Sequence, residues 1–140
     1  MHYLLCLLAA LVTATGAVTP HDPERHLEIL TRQLAAAPHD NVLRLQRGRL
    51  YAALGELTLA LEDHLLVMRR APDWGAARAS AAAIYWQLDE PSAALAQLDA
   101  AILLGCDDAE VHRLRGRVLA ELDRHGEAAQ AFATALLATA

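Results

Sequence analysis

Gly48, Ala82 and Gly116 stand 34 residues apart. The same stride carries Tyr51 to Tyr85 to Leu119, Ala60 to Ala94 to Ala128, and Met68 to Ile102 to Leu136. A period of that length is one helix–turn–helix unit, which buries its apolar face only by stacking on its neighbours. The stride therefore predicts a row of helix hairpins. Such a row offers a surface for holding another molecule and implies no particular chemistry.

Turn residues divide the row. Asp22-Pro23 opens a first helix, with Asp as N-cap and Pro at the first helical position, and this helix runs to about Ala36 before Pro38. Three hairpins follow, with helices near 41–54 and 57–70, 75–88 and 91–104, and 109–122 and 125–138. Gly55, Pro72, Asp89-Glu90-Pro91, Gly105, Asp107-Asp108 and the stretch from Asp123 to Gly126 mark the breaks. Inside the helices, Leu50, Tyr51 and Leu54 fall at i, i+1 and i+4, as do Ile84, Tyr85 and Leu88, and Val118, Leu119 and Leu122. The small residues Gly48, Ala82 and Gly116, with Ala60, Ala94 and Ala128, belong where the two helices of a hairpin cross at close range.

Composition supports an all-α chain. Of the 140 residues 55% are apolar and only 4% aromatic, so the core is mainly Ala and Leu, the strongest helix formers. All 12 basic residues are Arg, and the net charge of −5 argues against a nucleic-acid partner.

These residues resemble the tetratricopeptide repeat family. Gly48, Tyr51, Ala60 and Pro72 follow the family pattern in one unit, Ala82, Tyr85, Ala94 and Ala101 in the next, and Gly116, Ala128, Phe132 and Ala135 in the last. His64, Val67, Leu98, Cys106 and Leu119 depart from it. The resemblance implies an α-solenoid of three tandem repeats, 41–74, 75–108 and 109–140, with residues 18–40 as a leading helix that looks like half a degenerate unit. It also implies a right-handed superhelix whose first helices line a concave groove.

The function expected from this resemblance is non-catalytic: an adaptor or scaffold that binds a peptide or protein in the groove. The groove residues are expected to be Leu45, Arg49, Ala83, Trp86, Arg113 and Arg117. Arg offers a fork suited to carboxylates and Trp is enriched at binding hot spots, so the expected partner carries an acidic group and an apolar anchor. A competing reading makes Glu110, Arg113, Arg117 and Glu121 a self-neutralising ladder along one helix face. The Lys–Asn–Arg carboxylate clamp known in the family is not matched, because the chain has no Lys and its Asn positions hold Arg49 and Ser80. Trp74 reads as packing between hairpins.

No catalytic, cofactor or metal site is expected. Ser80 and Ser92 are the only serines and neither sits in a nucleophile-elbow context. The seven His are scattered, with no i, i+4 pair. His64, in place of the family's aromatic, reads as a hydrogen-bonded core imidazole whose burial favours the neutral form. Cys106 reads as a small, partly buried residue with no neighbouring cation to activate it.

The two termini carry separate expectations. Residues 3–12 form an apolar run of signal-peptide length, followed by Thr13, Ala14, Thr15, Gly16 and Ala17, although only Met1 and His2 precede it. Residues 1–17 are thus expected to be a cleaved signal peptide. The protein would then be periplasmic or secreted, in a bacterial envelope, with no membrane span after cleavage. The alternative is a membrane anchor through residues 3–18. At the other end, Ala129, Ala133 and Leu137 are expected to lie uncovered, because the chain stops at Ala140, before the solvating helix that often closes such arrays. Self-association through these residues, docking of a partner, and membership of a longer array or enzyme-accessory protein all remain open.

Overall fold

A computed structural model describes residues 22–139, so the expected signal peptide lies outside the described residues. These residues form seven α-helices and no strand: α1 Pro23–Ala36, α2 Asn41–Ala53, α3 Leu57–Arg70, α4 Gly75–Gln87, α5 Pro91–Leu103, α6 Ala109–Glu121 and α7 His125–Ala138. The pairs α2–α3, α4–α5 and α6–α7 are the hairpins. Neighbouring hairpins meet through α3–α4 and α5–α6, the first helices α2, α4 and α6 touch in sequence, and α1 packs on α2.

The turns repeat with the sequence. Gly55, Asp89 and Asp123, again 34 residues apart, all take left-handed backbone, with φ of 82°, 61° and 59°. The following amides of Glu56, Glu90 and Arg124 each donate to the carbonyl of Tyr51, Tyr85 or Leu119 at 2.9 Å. This is the Schellman closure, which satisfies carbonyls that the helix end leaves free. Between hairpins the closure changes with one residue. Ala71 before Pro72 keeps a negative φ of −132°, whereas Gly105 before Cys106 turns left-handed at φ 87° and the Cys106 amide donates to Ala101. Proline has no such amide to donate.

Small residues set the helix crossings. Ala60, Ala82 and Ala94 are fully buried, and Gly48 and Gly116 are buried with them. Each glycine faces a ring: a β-carbon at Gly48 would lie 2.6 Å from His64 Nδ1, and one at Gly116 would lie 2.7 Å from Phe132. In the middle hairpin Ala82 stands at the glycine position and the fully buried Leu98 at the ring position. Ring goes with Gly, and Leu with Ala.

Polar clasps reinforce the stack. Asp63, only 4% exposed, accepts from Arg47 Nε and Nη2 at 2.8 and 2.7 Å and from Arg44 at 3.4 Å. Hydrogen bonding to that carboxylate raises the Arg47 pKa, against the opposing effect of burial. Arg44 and Arg78 each reach back to the carbonyl of the preceding Pro38 or Pro72. Trp74 packs beside Leu45, Val67 and Ala77, between the first two hairpins.

Candidate partner-binding trough

The first helices α2, α4 and α6 leave an open trough of about 410 Å³ between them. Its floor comes from Ala76, Ala79 and Ala83 of α4, residues too short to fill it. Arg49 of α2 stands on one side, and Trp86 of α4 with Arg117 of α6 on the other.

Arg49, Ser80, Trp86 and Arg117 are each held in place by a neighbour. Arg49 Nε donates to Ser80 Oγ at 3.2 Å. Ser80 Oγ is in turn 2.8 Å from Nε2 of His64, and His64 Nδ1 lies 2.7 Å from the carbonyl of Ala60. A carbonyl can only accept, so Nδ1 carries the proton and the neutral ring accepts the Ser80 hydroxyl on Nε2. Burial pushes the His64 pKa below its ordinary value of 6.5, and Arg49 pushes it further the same way; the Ala60 hydrogen bond and Asp63 oppose them. Across the trough, Arg117 lies over the Trp86 ring, 4.7 Å from its centroid, and the indole N–H donates to Glu121 at 2.7 Å.

Of the six residues expected in the groove, Arg49, Ala83, Trp86 and Arg117 line this one trough. Leu45 does not. It is 3% exposed and belongs to the core, because Val67 of α3 and Ala77 of α4 close over that end of α2. Arg113 is also absent from the lining; it is exposed and ion-paired with Glu110 at 2.8 Å. The expected four-residue ladder is therefore split: Glu110 pairs with Arg113, Glu121 accepts from Trp86, and Arg117 has no carboxylate partner among the described residues.

Sequence reasoning gave Ser80 no positive role and did not connect it to His64. The two lie 16 residues apart on different hairpins, and only the packing of α3 on α4 joins them. It also missed the approach of Arg49 to Cys106, which lines the same trough. Burial, then Asp108, raises the Cys106 thiol pKa, and Arg49 only partly offsets them. The thiol is thus poorly nucleophilic. Among the described residues no cluster of three or more His, Cys, Asp or Glu is placed to hold a metal ion. No helix among them is long and apolar enough to cross a membrane.

The same helical-repeat fold occurs in solved structures of MamA. MamA AMB-1 matches with a TM-score of 0.70 at 25% identity, over 91% of this chain and 72% of that one. A double mutant of MamA RS-1 gives a TM-score of 0.78 at 18% identity, over 85% of this chain and 67% of that one. MamA 41-end from Desulfovibrio magneticus RS-1 gives 0.77 at 18% identity, over 91% and 70%. No protein-family model matches the chain, and no curated protein does either.

Proposed function

For a chain with the fold of a tetratricopeptide-repeat array, we propose a non-catalytic role: an adaptor that holds a peptide or protein partner in the trough between α2, α4 and α6. One observation carries this reading. Arg49 and Arg117 both face the trough without a carboxylate partner among the described residues, in a molecule whose net charge is −5. The acids nearby are committed: Asp108 caps α6, Glu110 pairs with Arg113, and Glu121 holds Trp86. Two exposed guanidiniums over an alanine floor suit a partner with an acidic group and an apolar side chain. Charge-assisted hydrogen bonds would supply about 1.5–3 kcal/mol each, and burial of the apolar anchor a similar amount.

The reading includes export to the bacterial envelope, supported by the apolar run at residues 3–12. The mass of the native gene product and its cell fraction test that part. For the trough, partners retained by the wild-type chain at fixed salt are lost by the double variant Arg49→Ala, Trp86→Ala. Unchanged retention refutes the trough as the binding site.

A second reading rests on α7. Leu136 and Leu137 are 72% and 77% exposed, Phe132 is 38% exposed, and Ala129 and Ala133 lie open beside them. Such a face supports self-association, the structural alternative to an adaptor. Molar mass measured over a concentration series separates the two.

A further inference from the structure

His64 is fully buried, yet one serine hydroxyl connects it to the trough. In the neutral state every hydrogen in the chain has a fixed direction. Arg49 Nε donates to Ser80 Oγ, Ser80 donates to His64 Nε2, and His64 Nδ1 donates to Ala60. The Ser80 hydroxyl hydrogen therefore points inward, and the serine offers the trough no donor.

Protonation reverses the middle link. A charged imidazole donates from both nitrogens, so Nε2–H turns toward Ser80 Oγ. That oxygen then accepts from His64 and from Arg49, and its own hydrogen swings into the trough. Arg49 and Ser80 together then present donors to one point. With no anion there, the switch is disfavoured by burial and by the charge of Arg49. The charged groups around the ring are Asp63 on its own helix, tied up by Arg44 and Arg47, and Arg49 from α2; α4 contributes the neutral Ser80.

We infer that Arg49 and Ser80 form a carboxylate subsite whose occupation draws a proton onto His64, so that the trough holds acidic groups more tightly as pH falls. A bound carboxylate accepts the released Ser80 hydroxyl and offsets the Arg49 charge, and both effects favour the imidazolium. Linkage makes the relation reciprocal: whatever protonation adds to carboxylate affinity, the carboxylate adds to proton affinity. This subsite rests on the reading of the trough as a partner site and specifies how that site is regulated.

Formate is the probe, since it stays ionised to low pH and carries only the carboxylate. The ring signals of His64 are followed by NMR in the full chain through a pH titration, in sodium formate and in sodium chloride of equal ionic strength. Formate is expected to move the His64 midpoint upward by about one unit, the effect of one opposite charge at this range in a partly solvated site. In Ser80→Ala, formate still perturbs Arg49 at pH 7.5, while the His64 shift falls to less than half. An unmoved midpoint with formate bound at Arg49 overturns the coupling and leaves the adaptor reading standing. Equal shifts in wild type and Ser80→Ala overturn the serine link. If formate perturbs neither Arg49 nor Ser80 at any pH, the subsite fails, and the acidic-partner reading fails with it.

Discussion

Replacing Gly48 by Ala tests whether the repeat is held together by its helix crossings. The new β-carbon would sit 2.6 Å from His64 Nδ1, 2.8 Å from its Cε1 and 3.1 Å from Asp63 Cβ. None of these can yield easily. His64 is fully buried between two hydrogen bonds of 2.7 and 2.8 Å, and Asp63 is gripped by Arg47. Overpacking of this kind costs about 1–3 kcal/mol. Displacing the imidazole strains two buried hydrogen bonds worth about 1 kcal/mol each. Against this, Ala favours a helix over Gly by about 1 kcal/mol. The expected net loss is about 2–3 kcal/mol. With a urea m-value of about 1.5 kcal/mol/M, within the usual range, the midpoint falls by about 1–2 M. Adding His64→Leu recreates the Ala82–Leu98 pair of the middle hairpin, where both side chains are fully buried. The double variant is expected to recover to within about 1 kcal/mol of wild type, a coupling of about 2 kcal/mol. A stabilised Gly48→Ala, or a double variant no better than the sum of its parts, would refute the pairing rule.

Other perturbations follow from the same geometry. Asp63→Ala leaves two guanidiniums without their shared carboxylate and should cost about 3 kcal/mol in urea unfolding, as for other broken buried pairs. Because the folded chain lowers the His64 pKa from 6.5, the unfolded chain binds the extra proton first as pH drops. Stability attributable to His64 is therefore present above about pH 6.5 and declines below it, toward the folded pKa; His64→Phe should flatten that part of a urea-midpoint-against-pH curve. Asp89→Gly and Asp123→Gly relieve left-handed backbone at φ 61° and 59° and should each stabilise the fold by up to about 1 kcal/mol, read as a higher urea midpoint. If α7 carries self-association, Leu136→Gln with Leu137→Gln will lower the molar mass in solution without shifting the helical circular dichroism signal.

Most of the fold was legible because each unit repeats the same local signals. Asp22 before Pro23, Gly55 and Asp108 mark helix ends in sequence and cap or close them in space. Small residues at a fixed stride mark the crossings of the paired helices. The trough was only partly legible. Arg49, Ala83, Trp86 and Arg117 share it because the stride sets which first-helix positions face the same way. Leu45 escaped because helix phase says nothing of where a neighbouring helix closes over an end. Arg113 escaped because i, i+3 spacing lets Glu110 turn it away.

One residue that breaks the repeat, His64, lies behind the trough and connects to it through Ser80. A unit that followed the pattern throughout would place an aromatic at position 64, as the last unit does with Phe132, and no proton could reside there. His64 keeps the ring that Gly48 requires and adds two polar atoms, one answered by its own helix and the other by Ser80. Ser80 is buried enough to meet the imidazole and open enough to line the trough. Arg49 completes the line from core to surface. Both nitrogens of a buried imidazole need a partner, and here the second partner, Ser80, also lines the trough, which is the contact the proposed coupling uses. Local departure from an otherwise consistent sequence is where function is expected. Here that departure, rather than the stride, is what the proposed carboxylate subsite rests on.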